Sequence, residues 1–167
     1  MKALFCSTIE VAKKGVFIVG ESYKNILVAV DGSDKAEKAY QEAVKIAKRN
    51  DATLHILYVI EETANYYGEL TISMGSVMEE LRTREEAEMK RRKDEAHAGG
   101  LDNVVTYVMY GYAKSLIADF TESKEPIDLI VMGRTGLNSF ERLLVGSTTS
   151  YVVNHAKANV LVVNKTA

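Results

Sequence analysis

The sequence predicts a single α/β domain built on a doubly wound parallel sheet. Five short runs of apolar residues are rich in β-branched side chains and nearly continuous rather than alternating, which is typical of strands buried on both faces of a parallel sheet. Segments with the three-to-four-residue spacing of amphipathic helices lie between these runs. Strands that alternate with helices form right-handed βαβ units, which place helices on both faces of one sheet.

The predicted strands cover residues 25–30, 53–60, 104–110, 128–132 and 159–164. The predicted helices cover residues 34–49, 77–97, 112–123 and 147–155. Either Ser33 or Asp34 is suited to cap the first helix. We interpret residues 63–76, which show no clear period, as a mobile loop.

The helix predicted at residues 77–97 is dominated by charges of both signs. Pairs such as Glu86–Lys90 and Glu88–Arg92 have the four-residue spacing that stabilises an exposed helix. We interpret this helix as a solvated cover on one side of the sheet.

Residues 1–22 precede the first predicted strand, and we treat them as an N-terminal extension to a domain of residues 23–167. The apolar residues 16–19 predict either an extra edge strand or a tail that is ordered by a neighbour.

Composition and charge exclude several classes of function. The net charge of −2 gives no basic surface for nucleic acid. The single cysteine, Cys6, rules out a disulfide within the chain and a four-cysteine zinc site, and it suits a cytoplasmic location. The longest apolar runs, of about eight residues, are too short to span a membrane. The three histidines are isolated in the sequence, and we expect His55 to be a satisfied core or edge residue.

The richest candidate site follows the fourth predicted strand. In doubly wound sheets, ligands bind beyond the carboxyl ends of the strands. Gly133 and Gly136 stand at that end, and Gly146 opens the last helix, followed by four hydroxyl residues. Glycines allow close approach of a backbone and positive φ, and a helix start favours an anion. This pattern predicts phosphate binding, although a plain turn followed by a helix cap would use the same residues.

Asp31 follows the first predicted strand and is the second candidate. Its carboxylate either caps the next helix or reaches the base or ribose of a nucleotide. The chain has no P-loop, dinucleotide fingerprint or G-x-S-x-G elbow.

The spacing Gly133-x2-Gly136-x9-Gly146-Ser147 resembles the ATP-binding signature of the universal stress protein family. The segments NILVAVDGSDKAEKA, LHILYVI, DLIVMGRTG and NVLVVN are similar to the strands and first helix of that family. Many members have histidine where Thr135 stands and proline where Asn159 stands. The N-terminal extension is also unusual in the family.

The resemblance implies a strand order of 3-2-1-4-5, in the adenine nucleotide alpha hydrolase-like fold. It also implies binding of ATP with Mg²⁺ or Mn²⁺, and it assigns ten residues to the nucleotide. In this assignment the adenosine meets Val30, Asp31 and Val59, the ribose and α-phosphate meet Gly133, Arg134 and Gly136, and the outer phosphates meet Gly146, Ser147, Thr148 and Thr149.

The last strand is predicted to be a sheet edge, because it comes last in a doubly wound order. An uncharged apolar edge is a template for pairing, and the resemblance implies a homodimer through Val160, Leu161, Val162 and Val163. Alternatively, the N-terminal extension covers this edge within one chain.

The function implied is that of a nucleotide-dependent stress or signalling factor with slow or no ATP hydrolysis, because no general base is evident. One alternative is a slow nucleotide hydrolase or another adenylate-using enzyme. A second is a dimeric interaction module that binds another adenine nucleotide such as cAMP.

Overall fold

All five apolar runs form strands, at nearly the predicted bounds. A computed structural model describes residues 10–12, 15–17, 22–61, 71–123, 125–135 and 145–164. The strands in these ranges are β1 (Glu10–Ala12), β2 (Gly15–Phe17), β3 (Asn25–Val30), β4 (Thr53–Glu61), β5 (Val104–Gly111), β6 (Leu129–Gly133) and β7 (Asn159–Val163). The helices are α1 (Asp34–Asn50), α2 (Thr71–Ala98), α3 (Ala113–Ala118) and α4 (Ser147–His155).

The strands β3 to β7 form one parallel sheet in the order β5-β4-β3-β6-β7. Counted within this sheet, the order is 3-2-1-4-5, so the predicted fold class and topology are confirmed. The central strand β3 is continuously apolar because both of its faces are covered, and Ile26, Leu27 and Val28 are fully buried. Strands β5 and β7 are the two edges.

Two hydrophobic layers sandwich the sheet. Ile26, Val28 and Ile56 point toward the side covered by α1 and α2. The intervening side chains, such as Leu27 and Leu57, point toward the side covered by α3 and α4. This alternation follows from the two-residue period of a strand.

Helix α1 begins where the sequence places a cap. The Ser33 Oγ accepts a 3.1 Å hydrogen bond from the Ala36 N–H, so Ser33 rather than Asp34 is the N-cap. The helix ends at Asp51, which has a left-handed backbone with φ 51° and donates its N–H to the Ala47 carbonyl.

Two predicted helix bounds are wrong. Helix α2 begins at Thr71, so the predicted loop at residues 63–76 is incorrect for its second half, while residues 62–70 lie outside the described ranges. Helix α3 ends at Ala118 rather than at residue 123. Phe120, which seemed to extend its stripe, instead packs edge-on against Tyr107 from beyond the helix, with ring centres 5.0 Å apart.

The charges of α2 are only partly solvated. Arg92 is buried, and its guanidinium lies 2.6 Å from the Glu37 carboxylate of α1 and 3.1 Å from that of Glu88. The predicted Glu88–Arg92 pair is therefore present. Glu86 pairs at 2.8 Å with Arg82 instead of Lys90, because a cation stands four residues away on each side of it.

Buried His55 on β4 is not fully satisfied, contrary to expectation. Its Nδ1 lies 3.2 Å from the Tyr107 hydroxyl, but its Nε2 has no hydrogen-bond partner in the described part of the chain.

Within the extension, β1 and β2 pair with each other as an antiparallel hairpin, in a sheet separate from the five-stranded one. Residues 18–19 of the predicted apolar run lie outside the described ranges. Among the described helices, none combines the length and the apolar character needed to cross a membrane.

Candidate functional site

The carboxyl ends of β3 and β6 lie side by side, because these two strands pair in the sheet. This contact joins parts of the sequence about one hundred residues apart. It brings the turn after β3, which contains Asp31, next to the end of β6 at Gly133. Most of the predicted site residues therefore lie close together at the carboxyl ends of the strands. Gly136 lies outside the described residues.

Gly133 is required by close packing. A Cβ at this position would lie 2.8 Å from the carbonyl carbon and oxygen of Lys35, which is closer than side-chain carbons approach other atoms. The first turn of α1 therefore packs directly on the end of β6. Of the two properties of glycine named for the motif, close approach rather than positive φ applies at Gly133.

Gly146 plays a similar role at the start of α4. Its φ is −67°, so close approach rather than positive φ accounts for the glycine here. A Cβ would lie 3.3 Å from the Thr135 Cα, and the Gly146 N–H donates a 2.8 Å hydrogen bond to the Arg134 carbonyl. These contacts hold the start of α4 against residues 133–135.

The first turn of α4 presents free backbone donors. The N-cap Gly146 has no side chain to satisfy them, and the first bond within the helix is from the Ser150 N–H to the Gly146 carbonyl, at 2.8 Å. The N–H groups of Ser147, Thr148 and Thr149 therefore have no acceptor inside the helix. Such a turn carries partial positive charge and suits an anion.

The hydroxyl groups of this turn differ in environment. Ser147 is exposed and Thr148 is half-buried, so both hydroxyls can meet a ligand. Thr149 is buried, and its hydroxyl donates a 2.9 Å hydrogen bond to the Gly133 carbonyl. The Thr149 side chain thus ties α4 to β6, and its backbone N–H is the group it offers to an anion.

Arg134 is held by its backbone and has an unsatisfied side-chain atom. Its N–H donates a 3.2 Å hydrogen bond to the Val163 carbonyl. Its Nε is buried without a hydrogen-bond partner among the described residues. Because an unpaired buried donor is costly, this nitrogen is a group that a bound ligand can satisfy.

Asp31 shapes the turn after β3. Its Oδ1 accepts a 3.0 Å hydrogen bond from the Ser33 N–H, which is the geometry of an Asx-turn. Of the two roles considered for Asp31, capping of α1 belongs to Ser33. Asp31 is half-buried and directly follows the end of β3.

The apolar part of the site comes from the central strands. Val30 ends β3 and is buried. It is in register with Tyr58 of β4, so the half-buried Val59 lies one residue further toward the carboxyl edge. The side chains of these valines lie on opposite faces of the sheet, Val30 in the layer under α1 and α2 and Val59 in the layer under α3 and α4.

Sequence reasoning missed one contact of the site. The ammonium of Lys35 donates a 2.7 Å hydrogen bond to the Thr135 hydroxyl, and Thr135 is buried. The two residues are 100 positions apart, so no local pattern indicates the contact. A glycine at the end of β6 was the available signal, because it marks where α1 approaches.

The described residues hold no group of three or more histidine, cysteine, aspartate or glutamate side chains arranged for a metal ion. A groove of about 550 Å³ lies elsewhere, between α2 and the edge strand β5, and is lined by residues such as Arg82 and Tyr110. It contains none of the predicted site residues.

Comparisons with known proteins agree with the fold and the motif. The model of the universal stress protein family matches residues 22–164. A Staphylococcus haemolyticus protein named as a universal stress protein is 40% identical over 142 residues, which cover 85% of each chain. The solved structure of the universal stress protein UspA from Lactobacillus plantarum is 40% identical and has a TM-score of 0.79, covering 87% of this chain and 100% of its own.

A universal stress protein solved in complex with cAMP has a TM-score of 0.63 and 22% identity, with coverage of 87% of this chain and 100% of its own. At that identity the likeness concerns the fold alone. The family match reaches further, since it spans the sheet and the whole glycine motif, and the two relatives at 40% identity cover 85% and 87% of this chain. This chain belongs to the universal stress protein family.

Proposed function

We propose that this chain binds ATP, with Mg²⁺ or Mn²⁺, in the site formed by β3, β6 and the first turn of α4. The observation that carries the proposal is the start of α4, which no side chain caps. Beside it Arg134, directly after β6, has a buried Nε with no hydrogen-bond partner among the residues that the structure describes. Backbone donors, a guanidinium and serine and threonine hydroxyls are the groups that phosphate oxygens accept bonds from.

The parts of the nucleotide are assigned as the family resemblance implies. Val30 and Asp31 are assigned to the adenosine, and Val59 to the edge of the adenine through its backbone. Gly133, Arg134 and Gly136 are assigned to the ribose and α-phosphate, and residues 146–149 to the outer phosphates. A helix start contributes about 0.3–2 kcal/mol per charge, whereas micromolar affinity needs about 8 kcal/mol, so these groups must act together.

The metal ion is assigned to the phosphates rather than to a protein cage. Mg²⁺ usually keeps several waters and binds through phosphates and only one or two protein oxygens. When bound, it neutralises phosphate charge. The described residues supply no three-carboxylate set, and Ser147 and Thr148 are the hydroxyls nearest to the outer phosphates in this assignment.

We propose that the protein works by binding, as a stress or signalling factor, and hydrolyses ATP slowly or not at all. No described side chain at the start of α4 is a histidine or carboxylate able to activate water. Steady-state hydrolysis faster than about 1 s⁻¹, the lower end of ordinary enzyme turnover, would favour the nucleotide hydrolase alternative.

Another adenine nucleotide is the second candidate ligand. A universal stress protein of the same fold was solved with cAMP, which has one phosphate and would leave much of the α4 turn unused. Mass spectrometry of nucleotide released from the purified, denatured protein distinguishes ATP from cAMP and AMP.

The site is tested by Gly146→Val. A side chain there meets residue 135 and covers the α4 donors, so ATP binding measured by calorimetry should be lost while circular dichroism shows a folded protein. The control is Gly100→Asn, in an exposed turn after α2 with φ 84° and open space around it, since asparagine tolerates this conformation. ATP binding by Gly146→Val at the wild-type affinity would refute the assignment.

We also propose a homodimer that pairs β7 with its copy, in a cytoplasmic protein. Strand β7 is a sheet edge, its core of residues 160–163 is uncharged, and Leu161 is 36% exposed. Pairing of identical strands closes as a twofold dimer rather than a filament.

A further inference from the structure

We propose that Lys35 is a specificity-determining residue of the nucleotide site, which makes the site prefer ligands with more phosphate groups. The inference rests on the proposed nucleotide binding and extends it to the number of phosphates. Lys35 lies in the first turn of α1, outside the glycine motif, and its ammonium is anchored 2.7 Å from the Thr135 hydroxyl.

The anchor fixes where this charge is held. Thr135 is 3% exposed, so its hydroxyl is not an ordinary surface group. The Thr135 Cα lies 3.3 Å from the position that a Cβ on Gly146 would occupy. The ammonium is therefore one buried side chain away from the start of α4, where the outer phosphates are assigned.

The backbone of Lys35 is fixed as well. Its carbonyl group packs on Gly133, where a Cβ would be only 2.8 Å away, and Ser33 caps the helix two residues earlier. A lysine side chain is flexible, but here its base and its ammonium are both held against residues 133–135. The charge is thus set in place before a ligand arrives, which reduces the entropy lost on binding.

Lys35 brings a cation to a stretch of sequence that also carries acids. Asp31 and Asp34 stand within four residues of it, and carboxylates repel phosphates. Attraction between an ammonium and a ligand grows with ligand charge and is weakly screened when partly buried. Loss of Lys35 should therefore weaken ATP binding much more than AMP binding.

The experiment measures the affinities of ATP, ADP and AMP by calorimetry for the wild type and Lys35→Gln. We expect Lys35→Gln to weaken ATP binding by about tenfold, which is typical of one charge-assisted hydrogen bond, and AMP binding by less than about threefold. Lys35→Arg, which keeps the charge, should restore the preference for ATP.

Two further variants separate charge from shape. Lys45→Gln removes the same charge from α1 at a 59% exposed side chain that pairs with Glu42, and it should change no affinity. Thr135→Val keeps the ammonium but removes its anchor, and should therefore reduce the preference for ATP over AMP in the same direction as Lys35→Gln, but by a smaller factor.

The possible failures are distinguishable. If Lys35→Gln weakens the binding of ATP and of AMP equally, or weakens neither, Lys35 does not determine the preference for ligands with more phosphate groups. The proposal that the protein binds a nucleotide would be unaffected by that result. A loss specific to ATP in Thr135→Val but absent in Lys35→Gln would assign the selectivity to the hydroxyl and overturn the proposal. If the wild type binds no adenine nucleotide, the proposed function fails and this inference fails with it.

Discussion

The Thr149 hydroxyl donates a 2.9 Å hydrogen bond to the carbonyl oxygen of Gly133, which joins the first turn of the last helix to the end of β6. Both groups are at the centre of the candidate site, and the Thr149 side chain is buried. This bond sets the distance between the strand end and the helix start, and the two residues therefore serve the site through its shape.

Thr149→Val should lower the free energy of unfolding by about 1–2 kcal/mol, because it leaves a buried carbonyl without its donor while keeping the side-chain volume. Thermal or urea unfolding measures this change. Thr148→Val is the matched control: its hydroxyl is half-buried and is assigned to phosphate, so it should weaken ATP binding with little effect on stability. Equal stability losses in both variants would contradict the distinction.

Stability should depend on pH through His55. Burial lowers the pKa of this imidazole from its usual value of 6.5, so the unfolded chain binds a proton at a higher pH than the folded chain does. The contribution is fully present above pH 6.5 and is lost as pH falls below it, with a slope of up to about 1.4 kcal/mol per pH unit. Urea unfolding between pH 7.5 and 5 measures the loss.

His55→Leu removes the titrating imidazole. The free energy of unfolding should then depend less steeply on pH below 6.5. The comparison variant is His155→Gln, at an exposed histidine of α4, which should leave the profile as steep as in the wild type. An unchanged slope in His55→Leu would show that other groups cause the pH dependence.

Arg92→Ala should destabilise the fold by about 2–4 kcal/mol. The buried guanidinium bridges Glu37 of α1 and Glu88 of α2 and lies 5.0 Å from the Tyr40 ring centre. Its removal takes away packing and leaves the partly buried acids without their partner. Arg92→Met should cost less, because the stem is kept.

The matched control for Arg92 is Arg91→Met on the same helix. Arg91 also contacts two acids, Glu88 and Glu95, but its side chain is 52% exposed. Exposed pairs contribute little, so denaturant unfolding should change by less than about 0.5 kcal/mol. A cost for Arg91→Met as large as that of Arg92→Ala would refute the argument from burial.

Val162→Lys should convert the proposed dimer to a monomer, because it places a charge in the middle of the apolar edge strand β7. Sedimentation at micromolar concentration measures the change. Val105→Lys, on the opposite edge strand β5 and 38% exposed, should leave a dimer intact. A wild-type monomer, or dissociation by Val105→Lys alone, would place the interface elsewhere or remove it.

Most of the sheet could be predicted from the sequence, because buried parallel strands are short apolar runs with clear limits. The start of α2 could not, since Gly75 and the polar residues around it have weak preferences and helix formation there is decided by context. Residues 113–123 show the opposite failure. The apolar Phe120 fits a helical stripe, yet its ring finds Tyr107 after the helix has ended.

The sequence predicts those parts of the candidate site that lie close together along the chain. The glycine spacing and the hydroxyl run identify residues 133–149 without any structure. The contact between Lys35 and Thr135 depends on the packing of α1 against β6, which a single sequence does not specify. The burial of the Arg134 Nε is likewise visible only in the folded structure. The sequence also does not tell which property of glycine is needed at Gly133 and Gly146, since both close approach and positive φ favour a glycine.

The pairing of β3 with β6 has a consequence for folding. These neighbours are separated by the whole of α1, β4, α2, β5 and α3, so their contact closes a long loop, which is a slow step in chain assembly. The site takes residues from both of the chain segments that this contact joins. A chain in which β3 and β6 have not yet paired therefore has no site. A ligand that bridges them would bind only the finished fold, and at a concentration of one hundred times its Kd it would add about 2.7 kcal/mol to the free energy of unfolding.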